Sequence, residues 1–353
     1  MIATTSFTIN KNDIKATAIT KHSISDIPSN AILIQIDRFG FSSNNVTYAL
    51  FGKAMQYFDF FEAGNGYAHL PIWGVGTIIK SNNDQLKEGE KVYGYFPTAS
   101  HIILEPVGIK IDSFKVIRDQ LPADRYHREN VDPEYSSEFE SLMLLFRPLW
   151  TTSFFLNDFL EAKFDNVRSI VISSASSKTA FSLALLLKKR GIKAIGITSK
   201  RNEEFVKHLG FYDKVVCYDQ ISQLEIADCV YCDFAGDSNL NSQLFSHFGD
   251  CLQKHVVIGK THVESGPSGE KNPRTVFFFV PEWILKRTPK PNENLVETKV
   301  KEWKTFLQFI QPFVDIKIST NPGDLQAVYL EMLKGSFSPS DGFIFSLVTS
   351  SHL

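Results

Sequence analysis

The stretch Val167 to Gly191, VRSIVISSASSKTAFSLALLLKKRG, constrains this chain more than any other. Ile170-Val171-Ile172 is an uninterrupted β-branched run, which suits a strand covered on both faces. Ser173 to Lys178 is a turn of small residues, and from Thr179 the pattern becomes helical. Lys188, Lys189 and Arg190 place cations on the negative end of that helix, and Gly191 stops it. Strand, small-residue turn and helix in this order open a nucleotide-binding βαβ unit, in which a phosphate sits on the free N–H groups of the helix N-terminus. The next strand is expected over Ile192 to Thr198 and runs into Ser199-Lys200-Arg201.

The G-x-G-x-x-G glycines usual in such a turn are absent. Ser174, Ala175, Ser176 and Ser177 fill it, followed by Lys178 and Thr179 at the helix start. A Lys in the first helical turn opposes the helix dipole, which makes sense beside a bound anion. The alternative is a solvated Lys on an ordinary helix. These six residues are the candidate phosphate cradle.

Dinucleotide choice is read at the end of the second strand. NAD-specific sites place an Asp or Glu there to accept from the ribose hydroxyls. Here Ser199, Lys200, Arg201 and Asn202 occupy the place, a cluster that attracts a 2′-phosphate, with Arg201 able to engage it bidentately. Glu203 and Glu204 are expected on the next helix, one turn too late to reach the ribose. NADP is therefore the expected cofactor; a solvated basic turn is the alternative.

Alternating signals continue downstream. Lys214 to Tyr218, Cys229 to Asp233 and His255 to Gly259 read as strands, with helices over Asn202 to Leu209 and Leu240 to Leu252. That alternation predicts an α/β fold with a doubly wound parallel sheet. Residues 1 to about 110 read as β-rich instead, with strands at Ala31 to Arg38, Pro71 to Lys80, Lys91 to Tyr95 and His101 to Leu104. Residues 112–140 are charged and irregular and are expected to form a long surface excursion, followed by a helical run over Leu142 to Leu160. The aromatic cluster Tyr57 to Phe61 reads as core or as a pocket wall. At the far end a strand-like Phe277 to Pro281 precedes helices at Leu295 to Phe313 and Gly323 to Lys334, and strands at Val314 to Ile318 and Gly342 to Val348. A chain of 353 residues is long enough for two domains.

Several classes are excluded. A net charge of −2 without a long basic run gives no nucleic-acid partner. The N-terminus has no apolar core of a signal peptide, and no run of about 18 apolar residues predicts a membrane span, so a cytoplasmic location is expected. Cys229 and Cys232 lie in a strand, where positions i and i+3 face opposite sides, which speaks against a redox or zinc pair. Gly259-Lys260-Thr261 imitates the end of a P-loop, but Lys254 stands where its first Gly belongs. None of the eleven tyrosines has a Lys four residues on, and there is no G-x-S-x-G elbow.

Several segments carry a family resemblance. Gly89 to Tyr95 (GEKVYGY), Leu209-Gly210 followed by KVVCY, VYCDFAG and LFSHFGDCLQKHVVIGKT resemble, in this order, the medium-chain dehydrogenase/reductase superfamily and its zinc-free quinone-oxidoreductase branch. SSASSKTA, PLWTTSF and WGVG resemble a branch known only as a domain of unknown function. The resemblance implies a GroES-like β-rich domain over residues 1–147, completed by 284–353, and a Rossmann domain over 148–283, with the nicotinamide in a cleft between them. It implies NADPH-dependent, metal-free reduction of a quinone or conjugated carbonyl, a small-molecule substrate and a homodimer. Substrate-oxygen donors would come from the segment after Gly40, which makes Asn45 and Tyr48 the catalytic candidates. Thr152, Tyr218, Phe234, Gly259 and Phe278 would join the cofactor contacts. The three fingerprint glycines fall at Ser174, Ser176 and Thr179. Because Ser does not take positive φ cheaply, the turn is expected to differ in detail, and Thr179 is expected to hold helix and strand further apart. No soft zinc ligand stands at Gly40 to Asn45 or Trp73 to Gly76. The competing reading is a non-enzymatic NADPH-binding sensor or scaffold on the same fold, with a methyltransferase as a weaker rival.

Overall fold

The computed structural model describes residues 1–118, 121–122, 124–258, 272–289 and 293–348. The chain forms two compact units, the first from Met1–Leu145, Ile310–Phe337 and Asp341–Leu353, the second from Phe146–Phe309 and Ser338–Ser340. The division expected from the sequence differs from this one chiefly over residues 284–309, which fall in the second unit and include the helix Leu295–Ile310 up to its last residue. There Trp303 sits 5.2 Å from Trp150 and stacks on Phe306.

The first unit is β-rich and GroES-like. Its long strand Ile32–Phe41 is buried except at Gln35, Asp37 and Arg38. It pairs antiparallel with Pro71–Ser81, and also with His101–Leu104 and Asp341–Phe345. The helix Pro322–Leu333 ties the C-terminal segment into this unit: Leu325, Tyr329 and Met332 join the same core as Phe7, Phe39 and Phe41. The Tyr329 hydroxyl donates to the Ile14 carbonyl at 2.7 Å. Gly40 allows a tight crossing, since a Cβ there would lie 2.5 Å from the Leu144 carbonyl oxygen.

The expected surface excursion over 112–140 is corrected. Ser113–Val116 and Asp124–Arg128 pair with each other, and the latter also pairs with Lys91–Pro97. Phe114 and Tyr126 are fully buried and stack at 5.1 Å, and the Tyr126 hydroxyl donates to the Tyr95 carbonyl at 2.5 Å. Two strands of four and five residues carry too few inward positions for alternation to stand out among the charges around them.

In the second unit the sheet is parallel throughout. Its order is Lys214–Cys217, Lys193–Thr198, Ser169–Ile172, Cys229–Asp233, Leu252–Ile258, Thr275–Phe278. Numbered along the chain this is 3-2-1-4-5-6, the order of the doubly wound dinucleotide fold. Val171, Ile197, Tyr231 and Leu244 are buried in one cluster of its core, each such side chain contributing about 1.5–3 kcal/mol relative to exposure. The helix Lys178–Lys189 follows the first of these strands, capped by Ser177, whose side chain accepts from the Ala180 N–H. Among the described residues no helix is long and apolar enough to cross a membrane.

Candidate functional site

In a doubly wound sheet a ligand sits beyond the carboxyl ends of the strands where the order reverses. Here that point lies between Ser169–Ile172 and Cys229–Asp233. Ser174, two residues past the first strand, has φ +47°. The turn therefore keeps the left-handed residue at the first fingerprint position, and the expectation that serine would change it there is corrected. Such a conformation costs a non-glycine residue about 1–2 kcal/mol, and local partners hold it. The Ser174 N–H donates to the Tyr218 hydroxyl at 3.2 Å, and the Ser174 carbonyl accepts from the Ser177 N–H at 2.7 Å. Ala175 is fully buried, donates to the Ile197 carbonyl at 3.0 Å and accepts from the Tyr212 hydroxyl at 2.8 Å. Room for it comes from Gly196 on the neighbouring strand, where a Cβ would lie 2.9 Å from that of Ala175. The close approach that a turn glycine would give is supplied from across the sheet.

Ser176 and Thr179 do not take positive φ. The Ser176 hydroxyl accepts from the Asn202 amide at 2.9 Å, which joins the turn to the end of the second strand. The Thr179 carbonyl accepts from the Ser153 hydroxyl at 2.7 Å. Among the described residues, no hydrogen bond takes the N–H of Ser176 or of Thr179. Both are donors at a helix N-terminus, the setting that favours an anion.

Lys178 departs from its expected part. It is buried, its amine donates to the Pro339 carbonyl at 3.1 Å, and it lies 5.8 Å from the Phe146 ring. Its stem is spent on packing and its charge on a carbonyl far along the chain.

At the end of the second strand, Ser199 starts a short turn and Lys200 and Arg201 are exposed. Glu203 begins the next helix, as expected, and its carboxylate folds back to Lys200 at 2.5 Å and also meets Lys207 at 2.8 Å. The hydrogen bonds from Lys200 and then Lys207 hold the Glu203 carboxyl at about 2. Much of the Lys200 charge is thereby matched.

A buried network at the reversal point went unread in the sequence. Asp233 Oδ1 accepts from the Ser173 hydroxyl (3.2 Å) and the N–H groups of Ala235 (3.0 Å) and Gly236 (2.7 Å). Its Oδ2 accepts from the Asn241 amide at 3.0 Å and lies 3.4 Å from His255 Nε2. The His255 ring stacks on Tyr231 at 5.0 Å, and its Nδ1 is 3.1 Å from the Thr275 hydroxyl. Burial pushes the Asp233 carboxyl up, but His255, the Gly236 N–H and Asn241 outweigh it and hold the group at about 2. Asp233 to Gly236, the end of the VYCDFAG segment, was the available signal; nothing local marks His255. Phe234 is half-buried beside this network, its N–H donating to the Ser173 hydroxyl at 3.0 Å. Gly259 lies outside the described residues.

Two further candidates belong to the second unit. Thr152 donates to the Pro148 carbonyl at 3.2 Å inside the helix Glu140–Lys163. Phe278 is buried 5.2 Å from Phe159, in an aromatic cluster that includes none of the turn residues.

In the first unit, Asn45 and Tyr48 lie on the helix Ser43–Leu50. Both ends of the Asn45 amide are engaged: Oδ1 accepts from the Ser42 N–H and Nδ2 donates to the Pro71 carbonyl, each at 2.9 Å. Tyr48 is half-buried, its ring 4.5 Å from Tyr57 and 6.1 Å from Tyr95. Tyr95 in turn lies 5.0 Å from Trp73 and 5.3 Å from Phe60. Burial pushes the Tyr48 hydroxyl up, against the pull of Trp73, Asn44 and Tyr95.

A family model described as "Protein of unknown function (DUF2855)" matches residues 39–338. No curated protein matches the chain in sequence. Among solved structures, a quinone oxidoreductase from Coxiella burnetii is similar at TM-score 0.60 and 12% identity, over 98% of this chain and 100% of that one. CurA from Vibrio vulnificus, solved in complex with NADPH, is similar at TM-score 0.63 and 12% identity, over 98% of this chain and 99% of that one. A putative NADPH:quinone reductase from Bacillus thuringiensis is similar at TM-score 0.59 and 10% identity, over 99% and 100%. At such identities the likeness is one of fold.

Proposed function

This chain belongs to the DUF2855 family, and we propose that it is an NADPH-dependent, metal-free reductase of a quinone or conjugated carbonyl. The observation that carries the reading is the left-handed Ser174, at the reversal point of a 3-2-1-4-5-6 sheet and at the start of a capped helix. The local features fit a dinucleotide. The turn is seated against Gly196, two backbone donors are unengaged, and a basic pair ends the adjacent strand. The N–H groups of Ser176 and Thr179, with Ser177, would hold the pyrophosphate. Arg201, supported by Ser199 and Lys200, would hold the 2′-phosphate, and Tyr218 and Phe234 would border the cofactor. NADPH, when bound, supplies a hydride.

The remaining work falls to the chain. Reduction of a conjugated carbonyl builds negative charge on the substrate oxygen, which a positioned hydroxyl donor stabilises. Tyr48 is that donor in this reading, because its hydroxyl stays protonated at neutral pH and aromatic rings surround it. Asn45 becomes a positioning residue: with both amide ends engaged, it fixes the start of the helix that carries Tyr48. A homodimer is part of the same reading.

Stopped-flow assays with NADPH and a panel of quinones and enones test the proposal. Saturable NADPH oxidation with at least one acceptor is expected. Tight NADPH binding without turnover on any acceptor would favour the sensor or scaffold reading, and absence of binding would remove both.

A further inference from the structure

We infer that the second unit holds a separate site for an amphiphilic anion, an alkyl or aryl chain ending in a carboxylate or sulfonate. The site is a cavity of about 370 Å³ beside Thr275–Phe278, the last strand in the order of the described sheet. That volume falls in the lower part of the range of about 300–1,000 Å³ typical of small-molecule pockets.

The walls are aromatic. Phe159 lies 5.7 Å from Phe164, 5.2 Å from Phe278 and 5.1 Å from Trp283, and all four rings line the cavity. Lys163 and Lys254 also line it, and among the described residues no carboxylate pairs with either. The Lys163 amine stands 5.8 Å from the Trp283 ring, and the Lys254 amine donates to the Pro273 carbonyl at 3.3 Å. Glu282, on the same lining, is matched by Lys286 four residues on. The lining therefore carries an excess of positive charge beside an apolar wall. A neutral ligand would leave that charge unanswered and a cationic one would be repelled, so an anionic head with an apolar tail is the complementary chemistry.

The cavity is distinct from the turn. Two strands, Cys229–Asp233 and Leu252–Ile258, stand between Ser169–Ile172 and Thr275–Phe278. Its occupancy does not depend on the dinucleotide reading. Phe278, a residue expected among the cofactor contacts, lines this cavity.

Calorimetry on the full chain tests the assignment, with hexanoate, octanoate and decanoate below their micelle concentrations, and with decanol and decyltrimethylammonium as controls. Affinity should rise about tenfold for every two methylenes added. Decanoate should bind about tenfold tighter than decanol, and the ammonium compound weakest. The double variant Lys163→Gln/Lys254→Gln changes two surface side chains and should lose that advantage while binding decanol as before. Equal affinity for decanoate and decanol, or an unchanged double variant, would overturn the proposal. So would failure of decanoate to bind a chain that light scattering finds dimeric, because the exposed Phe279 and Leu285 nearby would then belong to a contact with a second copy.

Discussion

The backbone N–H of Ser174 donates to the hydroxyl of Tyr218, 44 residues on and 3.2 Å away. The bond ties a left-handed serine to the residue that follows the third strand of the sheet. It helps to explain how the chain keeps a glycine-type turn without glycine. The conformational cost sits at Ser174, the holding contact comes from Tyr218, and the space comes from Gly196.

Substitution at Ser174 should therefore act in opposite directions. Ser174→Gly relieves a left-handed cost of about 1–2 kcal/mol and adds about 0.5–1 kcal/mol of chain entropy cost, a net gain of about 0.5–1 kcal/mol. Ser174→Val adds a β-branched residue where positive φ is least tolerated and should lose about 2 kcal/mol. Urea unfolding measures both. A destabilised glycine variant would mean that the serine side chain, not its backbone, is what the turn needs.

Arg201→Ala should lower NADPH affinity about tenfold to thirtyfold and leave NADH nearly unchanged. Lys200→Ala should cost no more than about threefold, because Lys200 is already paired with Glu203 at 2.5 Å. Equilibrium titration with both dinucleotides decides it. Equal losses in the two variants would show that the Glu203 pair opens on binding.

The order of elements in the second unit was legible because hydrophobic runs, turns and helical periods alternate over short distances. What escaped the sequence was long-range partnership. Lys178 reads as an anion-facing cation until Phe146 and the Pro339 carbonyl are brought to it. The pairing of Glu203 with Lys200 across the short turn Lys200–Asn202 is not legible in the sequence. His255 has no local signature, yet it meets Asp233 across neighbouring strands. Phe114 and Tyr126 form a buried stack from two segments that look charged when read singly.

Acidification should weaken the first unit through His69. Burial lowers its imidazole to about 4, against the pull of the Thr98 and Phe7 backbone. The unfolded chain takes up this proton near the ordinary value of about 6.5, whereas the folded one refuses it until about 4. Stability is thus whole above about 6.5, falls as the pH drops and levels off below about 4. The loss from pH 7 to pH 5 should be about 2 kcal/mol. His69→Gln should flatten this part of the pH profile of urea unfolding; an unaltered slope would assign it to other groups.

Asp233 should behave differently over the same window. Its folded value of about 2 lies below the ordinary value of about 3.9. Its contribution is therefore present above about 3.9 and is lost only as the pH falls towards about 2. Asp233→Asn at pH 7 places an amide among donors from Ala235, Gly236 and Asn241, and should cost about 3 kcal/mol. A loss below about 1 kcal/mol would mean that the network tolerates a neutral centre.

Asn45 and Tyr48, one helical turn apart, should separate stability from turnover. Asn45→Ala removes the acceptor of the Ser42 N–H and the donor to the Pro71 carbonyl, both buried, and should destabilise by about 2 kcal/mol. Because the amide has no donor left for a substrate, kcat of the folded enzyme should stay within about threefold of the parent. Tyr48→Phe keeps the ring against Tyr57 and Tyr95 but deletes the hydroxyl. It should leave stability within about 1 kcal/mol and lower kcat about a hundredfold, the usual scale for one lost donor to a developing oxyanion. NADPH affinity should be the same in both variants, since neither residue is assigned to the dinucleotide. Urea unfolding beside steady-state kinetics, on whichever acceptor the panel identifies, reads both quantities. If Asn45→Ala abolished turnover at full stability while Tyr48→Phe did not, the donor would be Asn45, and its bond to the Pro71 carbonyl would have to break when substrate binds.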